Sequence, residues 1–503
     1  MLITSVERCI RFLKHTCASW AFGFLGVGAD AITASVVTPR KQKLYPCTDS
    51  GNAEMFAFLY GENVRFDHKQ GRWLIWNRER LRWSEDKVGQ LRTLMKATAR
   101  YRRKIAFDLP ADSDDCKRQF KWALNSENRY RIDAGLELAE SEEPISEDGE
   151  SWDSDPWLFG VANGIVDLKT GEFQKATQQH CITKFSPVEF DANATCPRWE
   201  YFLDEIFGGD TDRIRYVQKA AGYSLTGSTD EHCLFACYGT GRNGKSTLLE
   251  ILLFIFGDYG IDLPFNTLET KRNAPGEGVN LPGARFAKSV EIREGKQLDE
   301  ARIKSWTGGD TISVRPLYRN GFSFQPTHKL WLAFNHKPLI ADDSPAMWER
   351  VKLIPFERRF TDGQADKGLK DRLKQEASGI LNWAIQGCLL WRQEGLRAPA
   401  AVERATAQYK EESDVLAPFL EDCCIRDAEA AVTSGDLWTA YQTWAKGTYQ
   451  KPLARNLFGE HLKRRGFVAA EVGHDKRRIW RGLRLSEVGL AISEQPAIIG
   501  ANS

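Results

Sequence analysis

The stretch GTGRNGKST, Gly239 to Thr247, decides how this chain is interpreted. It matches the pattern G-x-x-x-x-G-K-[S/T], in which glycines let the backbone curl until several N–H groups face one point. The apolar run CLFACY precedes the stretch and the apolar run LLEILLFIF follows it, which predicts a buried strand before the loop and a helix after it. Because a helix N-terminus also attracts anions, the segment predicts a loop that holds a nucleoside triphosphate.

Two residues of this loop have particular expected roles. Lys245 is expected to reach the β- and γ-phosphates, and the hydroxyl of Ser246 to hold Mg²⁺. The predicted cofactors are therefore ATP and Mg²⁺. The residues expected to contact the nucleotide are Gly239, Thr240, Gly241, Arg242, Asn243, Gly244, Lys245, Ser246 and Thr247.

Hydrolysis also requires polar groups at neighbouring strand ends, to order Mg²⁺ and the attacking water. Glu291 follows the strand-like run FAKSV directly, and Glu294 comes three residues later. Asn335 follows the apolar run LWLAF, and Pro338 closes that strand. We expect all three side chains to be catalytic, with Glu291 also near the metal. Taken one at a time, they read equally well as two solvated loop acids and a turn-forming Asn.

Longer strings resemble the superfamily 3 helicases, and more specifically the phage, plasmid and poxvirus primase-helicase family. Before the loop these are NGIVDLKTGEF, CPRWEYFL and GYSLTG. After it come KSWTGGDTISVRPLYRNGFSFQPTHKLWLAFNHKP, AMWERVKLIPFERRF and LWTAYQTWAKGTYQKPLARNLFGEHLKRRGF. The resemblance covers about residues 50–485. It implies an α/β P-loop ATPase core of the AAA+-like superfamily 3 type, an α+β N-terminal domain and a C-terminal winged-helix domain.

The resemblance also implies a hexameric ring that hydrolyses ATP and moves along single-stranded DNA, usually 3′ to 5′. Arg350, in WERV, matches the arginine finger that reaches the ATP of a neighbouring subunit. That role needs a permanently charged group that can fork onto phosphate oxygens. Many relatives have two adjacent acids where EIRE separates Glu291 from Glu294. Which of these two acids polarises water therefore stays open.

Two segments are predicted to contact nucleic acid. The resemblance implies that the hairpin TISVRPLYRNGFSF points into the channel of the ring, where backbone charge and stacking suit contacts that tolerate any base sequence. The C-terminal stretch 446–484 holds eleven Lys and Arg against three acids, and its third helix and wing are expected to meet DNA. Solvated basic faces are the alternative in both segments. The predicted contact residues are Lys304, Arg315, Tyr318, Arg319, Lys463, Arg464, Arg465, Lys476, Arg477 and Arg478.

The chain is predicted to divide into an ill-defined extension (1–50), an α+β domain (51–205), the P-loop core (206–365), a helical region (366–412), the winged-helix domain (413–485) and a disordered tail (486–503). The pattern of 413–485 predicts three helices and then a β-hairpin. Within the α+β domain, residues 72–104 hold eleven Lys and Arg against three acids. Residues 137–155 hold nine acids and no base, which predicts a solvated acidic loop.

Bulk composition excludes several classes of protein. The apolar content of 42% and the charged content of 27% are ordinary for a multidomain globular protein, which we expect in the cytoplasm of a bacterium or of a virus-infected cell. The apolar run 17–29 is too short to span a bilayer, so no membrane partner is expected.

Asp153 and Asp155 form a D-x-D pattern in the acidic loop, without strands around it. A priming site is therefore not expected, and a separate primase or polymerase is an expected partner.

Two functional hypotheses follow from these features. The first is an ATP hydrolase and DNA helicase of phage, prophage or plasmid replication, which self-associates into a ring and acts on single-stranded and forked DNA. The second is a nucleotide-dependent initiator or scaffold, which assembles on an origin without processive unwinding. RNA stays open as a substrate, because superfamily 3 includes RNA helicases.

Overall fold

A computed structural model describes residues 44–270, 276, 278–290, 296–315, 321–361, 366–448, 453–473 and 475–494. The chain divides into a unit that ends at Phe190 and a unit that begins at Asp191. The sequence places a domain boundary at residue 205, which lies within the helix Pro197–Phe207. In the described part of the chain, no helix is long and apolar enough to cross a bilayer.

The first unit is a mixed α/β structure with two small sheets. One has the order β3–β2–β1–β4 and is antiparallel except for the parallel pair β1–β4, and the other is the antiparallel sheet β5–β6–β7. Its elements are α1 (Asp49–Tyr60), β1 (Val64–Asp67), β2 (Arg72–Asn77), β3 (Arg82–Glu85), α2 (Gln90–Asp108), α3 (Asp114–Asn125), α4 (Arg129–Ala139), β4 (Ser146–Glu147), β5 (Leu158–Val161), β6 (Gly164–Asp167) and β7 (Glu172–Gln174).

The acidic segment 137–155 is more ordered than its composition indicates. Ala139 ends α4, and Ile145, which is fully buried, leads into β4. Trp152 packs against Trp83 with ring centroids 5.4 Å apart. Asp153 accepts a hydrogen bond of 2.8 Å from the backbone N–H of Thr183, so this carboxylate stabilises the local fold. The nine acids themselves are exposed or half-buried, as a solvated loop requires, and a few apolar anchors fix the segment to the unit.

The second unit contains the helices and strands that carry the predicted site. They are α5 (Pro197–Phe207), α6 (Thr211–Leu225), β8 (Leu234–Tyr238), α7 (Lys245–Phe256), β9 (Gly260–Asp262), β10 (Phe286–Val290), α8 (Glu300–Thr307), β11 (Ile312–Val314), β12 (Phe322–Phe324), β13 (Lys329–Phe334), α9 (Pro345–Trp348), β14 (Val351–Pro355), α10 (Leu369–Gln375), α11 (Ala377–Glu394), α12 (Ala400–Glu412), α13 (Ala417–Cys423), β15 (Cys424–Thr433), α14 (Ser434–Gly447), α15 (Arg455–Arg464), β16 (Val468–Val472), β17 (Arg477–Leu485) and α16 (Glu487–Glu494).

A five-stranded parallel sheet with the order β14–β8–β13–β10–β9 forms the centre of this unit. Its central strand β13 is buried at every position, which explains why its sequence is a continuous apolar run and does not alternate. Trp331 lies in this strand with its ring centroid 4.5 Å from that of Phe235, and its indole N–H donates to Ser224 at 3.0 Å. Because all five strands run the same way, their carboxyl ends meet at one edge.

The C-terminal part is a three-stranded antiparallel sheet, β15–β17–β16, packed with α13 to α16. The three predicted helices and the hairpin β16–β17 are present. Two features differ from the expectation. Strand β15 was missed because its segment CIRDAEAAVT is mostly exposed and has a helix-like composition. Helix α16 lies where a disordered tail was expected, and the close approach of Gly489 to the carbonyl of Cys423 fixes it against α13.

Glycines allow α6 and α11 to approach each other closely. A Cβ on Gly222 would lie 2.0 Å from the backbone nitrogen of Cys388, and one on Gly387 would lie 2.1 Å from the carbonyl oxygen of Gln218. Backbone cannot move aside as a flexible side chain can, so these contacts set the distance between the two helices.

We predict that Gly222→Ala destabilises the protein by about 1–3 kcal/mol, because the added methyl forces the α6 and α11 backbones apart. Gly447→Ala is the matched control, since it also lies in a helix but has open space around its Cβ position. We expect the control to be neutral or to stabilise the helix by up to about 1 kcal/mol. Denaturant unfolding of both variants measures the difference, and an equal effect at the two sites would refute the packing argument.

Candidate functional site

The glycine-rich loop connects the carboxyl end of β8 to the first turn of α7. Its backbone adopts left-handed conformations, with φ of +99° at Gly241 and +85° at Gly244. Gly244 also packs tightly, because a Cβ there would lie 2.4 Å from Cγ2 of Ile206. A side chain at either position would be strained, and this is why the sequence has glycine there. The backbone therefore curls at the edge of the sheet and delivers Lys245 as the first residue of the helix.

The ammonium group of Lys245 lies inside this curl. It donates to the carbonyl oxygen of Gly239 at 2.6 Å, to Oδ1 of Asn243 at 2.9 Å and to Oδ1 of Asn335 at 3.1 Å. The residue is only 4% exposed. Burial lowers the pKa of Lys245 to about 8, and no carboxylate is among the three acceptors that hold it. The structure thus concentrates a positive charge in the loop, and none of the acceptors described for it carries a negative charge.

Further contacts fix the loop around this charge. The side-chain amide of Asn243 donates to the carbonyl oxygen of Phe356 at 3.2 Å, and the N–H of Phe360 donates to the carbonyl of Arg242 at 2.8 Å. Both partners follow β14, which pairs directly with β8. The loop is therefore braced by the neighbouring strand as well as by its own helix. Among the predicted loop residues, Thr240, Arg242 and Ser246 are exposed at this edge.

Asn335 is brought to the loop by strand pairing. It follows β13, and Phe334 pairs with Tyr238, the residue before Gly239. Glu291 and Glu294 lie outside the described residues. The strand before them, β10, ends at Val290, which pairs with Ala333 on the adjacent strand. The last described residue before the two acids is therefore at the same edge of the sheet as Asn335.

Arg350 lies at the opposite edge of the sheet. It directly precedes β14, and its carbonyl accepts from the N–H of Leu234 at 2.8 Å, at the start of β8. Its guanidinium donates to the hydroxyl of Thr307 at 3.2 Å and to the carbonyl of Ala346. The length of β8, about 13 Å, separates this edge from the glycine-rich loop. Within one chain, the structure does not bring Arg350 together with Lys245.

The predicted DNA-contact residues of the core are only partly accessible. Lys304, on α8, forms an ion pair with Asp342 and donates to the hydroxyl of Ser344 at 3.3 Å. Arg315 is exposed just after β11, the first strand of the two-stranded hairpin β11–β12. Tyr318 and Arg319 lie outside the described residues. The buried side chains of Ile312 and Val314 anchor the base of the hairpin in the core of the unit.

The predicted contacts of the C-terminal part fall into two groups. Lys463 on α15 and the wing residues 476–478 are exposed, although Arg478 lies 3.5 Å from Glu471 on the facing strand. Arg464 and Arg465 form ion pairs with a group of carboxylates before α9 and before α13. The group, here called the ion-pair cluster, consists of Lys304, Asp342, Asp343, Asp414, His461, Arg464 and Arg465.

The ion-pair cluster is partly shielded from solvent. Arg465 has a side-chain exposure of 14%, and Asp343 lies 3.2 Å from the ring of His461. Burial lowers the pKa of His461, which keeps that ring neutral near pH 7. Burial works to raise the pKa of Asp342, but hydrogen bonds from Lys304 and Ser344 hold it well below its usual range. The three basic residues of the cluster are thus committed to protein carboxylates, which the count of basic residues did not reveal.

Two family models match separate parts of the chain, and the first of them extends past the boundary at Phe190. A family model described as D5 N terminal like matches residues 53–208. A second model, described as a family of unknown function, matches residues 237–350, which run from the end of β8 to Arg350.

Several viral proteins are similar to the chain. "Putative helicase L207/L206" of Acanthamoeba polyphaga mimivirus is 28% identical over 324 residues, which are 59% of this chain and 34% of that protein. "Putative helicase 022R" of Frog virus 3 is 23% identical over 60% of this chain and 40% of that protein. "Putative primase C962R" of African swine fever virus (strain Badajoz 1971 Vero-adapted) is 20% identical over 59% of this chain and 34% of that protein. The chain therefore matches well under half the length of each relative.

These matches confirm the resemblance to the viral primase-helicase family, because the D5 N-terminal-like region and the helicase and primase names occur together. A solved structure, "The A form apo structure of NrS-1 C terminal region-CTR", has a TM-score of 0.46 and 12% identity over 82% of this chain and 85% of that chain. A similarity of this size supports no inference about fold or function.

We predict that the titration of Lys245 is visible in protein stability. Its pKa of about 8 in the folded chain lies below the ordinary 10.5, so between these values the unfolded state binds more protons. Stability relative to the Lys245→Met variant should therefore rise with pH above about 8, by at most about 1.4 kcal/mol per pH unit, and be flat below it.

Denaturant unfolding of the wild type and of Lys245→Met, from neutral pH to pH about 10, measures this difference. Lys410→Met on α12 is the control, because Lys410 is exposed and its substitution should give no such slope. A difference between wild type and Lys245→Met that stays constant with pH would contradict the buried placement of the ammonium group.

Proposed function

We propose that this protein is an ATP-dependent DNA helicase of a viral, phage or plasmid replication system. The observation that carries the proposal is the ammonium group of Lys245, held by Gly239, Asn243 and Asn335 at the carboxyl edge of a parallel sheet. A buried cation in a glycine-rich curl at a helix N-terminus suits a triphosphate. The helicase and primase names of the viral relatives support the choice of reaction.

In this proposal the nucleotide replaces the contacts that Lys245 makes within the loop and with Asn335. Lys245 exchanges carbonyl and amide oxygens for β- and γ-phosphate oxygens, which carry the negative charge that its present acceptors lack. Ser246, exposed in the first turn of α7, would supply a hydroxyl to Mg²⁺. The metal would polarise the γ-phosphate and neutralise charge that develops during transfer.

The remaining chemistry is assigned to the neighbouring strand ends. Asn335, released from Lys245, can donate its amide N–H to the γ-phosphate or to the attacking water. Glu291 and Glu294 follow the strand next to it, and we assign one to water and the other to Mg²⁺ support without choosing between them. In this proposal Lys245, Ser246 and Asn335 act from one edge of the sheet, the edge at which β10 also ends.

Arg350 completes the proposed site from a second subunit. Since it lies at the other edge of its own sheet, it is suited to face a loop that belongs to a neighbouring copy. A permanently charged fork onto the γ-phosphate would then form only when subunits stand side by side, as in a ring. The assembly expected from the family resemblance is a hexamer.

DNA contacts are assigned to the residues that remain accessible. In the core this is Arg315. Tyr318 and Arg319, which lie outside the described residues, keep the role that the sequence predicts. In the C-terminal part they are Lys463 and the wing residues 476–478. The three basic residues of the ion-pair cluster, Lys304, Arg464 and Arg465, are reassigned from DNA contact to the packing of the C-terminal part on the core. Single-stranded and forked DNA are the proposed substrates, and a separate primase or polymerase is the proposed partner.

The alternative of a nucleotide-dependent initiator predicts different behaviour. It would bind an origin duplex and assemble with nucleotide, but would not separate strands. The placement of Arg350 away from its own loop favours the helicase, because hydrolysis that depends on a neighbouring subunit is a device for coupled turnover around a ring.

We predict that the purified protein hydrolyses ATP, that single-stranded DNA stimulates this hydrolysis, and that the protein displaces a strand from a tailed duplex. Lys245→Ala should reduce hydrolysis by about 10³-fold or more and abolish displacement, because the cation that holds the transferred phosphoryl group is lost. Duplexes of DNA and of RNA with 3′ or 5′ tails, each with and without ATP, identify the substrate and polarity. Unwinding that survives Lys245→Ala would overturn the site assignment.

Mixing inactive variants tests the shared site. Lys245→Ala and Arg350→Ala subunits should each be inactive alone, while a mixture should regain part of the ATPase activity where an intact loop faces an intact Arg350. Origin-duplex binding with nucleotide-dependent assembly, but without strand displacement by the wild type, would instead support the initiator.

We predict that two adjacent residues of α15 differ in their effect on DNA binding. Lys463→Gln should reduce the slope of log affinity against log salt by about 0.9 on duplex DNA, the value for one lost phosphate contact. Arg464→Gln should leave the slope unchanged, because its guanidinium is paired with Asp342 and Asp343. Fluorescence anisotropy with labelled duplex at several salt concentrations measures both. Equal slopes for the two variants would contradict this assignment.

A further inference from the structure

The outer face of α2 in the first unit has a continuous row of positive charge. Arg92, Lys96, Arg100 and Lys104 follow one another at intervals of four residues, and all four are exposed. Arg103 borders the row with a side-chain exposure of 38%. The opposite face of the helix is buried, so these residues must project away from the unit. We call these five residues the α2 row.

Few negative groups neutralise the α2 row. Asp133 on α4 lies 2.9 Å from Arg92 and also 3.6 Å from Arg129. Glu127 lies 3.7 Å from Arg100 and 3.9 Å from Arg103. Among the described residues, Lys96 and Lys104 have no carboxylate within ion-pair distance. Four arginines therefore share two carboxylates, and the two lysines add unpaired charge, so these six cations face two anions.

The needs of the helix do not account for this arrangement. Like charges four residues apart destabilise a helix by about 0.2–0.5 kcal/mol per pair, and the row contains three such pairs. The helix dipole favours cations in the last turn but disfavours Arg92 in the first turn, where Asp86 caps the N-terminus by accepting from the N–H groups of Gln90 and Leu91. The protein as a whole has a net charge of only +1, so the row is a local segregation of charge.

We propose that the α2 row binds the phosphodiester backbone of nucleic acid. It is a further contact surface, in addition to those assigned to the second unit. The inference rests on the proposed function only for the class of partner. From Arg92 to Lys104 the row extends about 18 Å, at 1.5 Å per residue of helix. This length corresponds to about five base-pair steps along a duplex axis, at about 3.4 Å of axis per step.

The chemistry of the row fits a sequence-independent contact. Two lysines without partners offer mobile point charges, and three arginines offer forked donors that can exchange carboxylate for phosphate oxygens. All five residues of the row are basic, and the buried face of α2 packs on the core of its own unit, so the row itself offers charge and not the apolar anchor typical of a protein interface. A uniformly spaced anion of high charge density is the partner that such a surface suits best.

The test compares two double variants of the full chain without nucleotide. Lys96→Gln with Lys104→Gln removes the two unpaired charges of the row and strands no buried carboxylate. Lys121→Gln with Lys410→Gln removes two exposed lysines from helices outside the row and changes the net charge by the same amount. Fluorescence anisotropy measures binding to a labelled single strand and to a labelled hairpin duplex at several salt concentrations, and thermal melting checks that both variants fold.

If the row contacts phosphates, the first double variant should reduce the slope of log affinity against log salt by about 1.4 on single strands or about 1.8 on duplex, for two lost contacts. The probe that shows the loss identifies the form of nucleic acid bound. The control variant should keep the wild-type slope on both probes. Equal slopes for the two variants overturn the proposal. So does a row variant that keeps its DNA affinity but loses binding to labelled polyglutamate, since that result identifies a surface for an acidic protein.

This experiment is separate from the test of the proposed function. It needs no hydrolysis, so a loss of binding in the row variant supports the inference even if the protein does not unwind a duplex. Conversely, strand displacement that depends on Lys245 supports the helicase even if the α2 row proves silent.

Discussion

The common direction of the five strands in the second unit is the constraint on which the candidate site depends. Parallel strands deliver their carboxyl ends to one edge, so residues far apart in sequence meet there without any other arrangement. Gly239 and Asn335 are joined in this way, and the ammonium group of Lys245 lies between them. The same constraint places Arg350, which precedes a strand, at the opposite edge. A single topological choice thus decides which groups one chain brings to the loop and which group it leaves at the far edge of the sheet.

Much of this arrangement could be predicted from the sequence, because its signals are local. Glycines at positions with positive φ, a continuous apolar run before them and another after them describe the strand, loop and helix completely. Asn335 could be predicted because a strand end is marked by the change from apolar residues to Asn, His and Pro. In the first unit, the buried face of α2 could likewise be predicted from Leu91, Leu94 and Met95.

The features that the sequence did not reveal depend on partners distant along the chain. Nothing local distinguishes Lys463 from Arg464. Among the described residues Lys463 has no ion-pair partner, whereas Arg464 pairs with Asp342 and Asp343, which lie more than a hundred residues earlier. The run ADDSP could only have suggested a turn before a helix. Strand β15 was missed for a related reason, since its polar, alanine-containing segment acquires strand geometry by pairing with β17. Composition counts charges, whereas the fold decides which of them are already neutralised.

The ion-pair cluster has a mechanical consequence. In the sequence, Asp342 and Asp343 lie midway between Asn335 and Arg350. The segment that joins Asn335 to Arg350 therefore also carries the carboxylates that hold the C-terminal part. A load applied to α15 by a bound strand would reach this segment through the ion pairs of Arg464 and Arg465. The stiffness of the joint depends on partly exposed charges, which salt screens. Ionic strength should therefore change how much of a force on α15 is transmitted to the segment that contains Asp342 and Asp343.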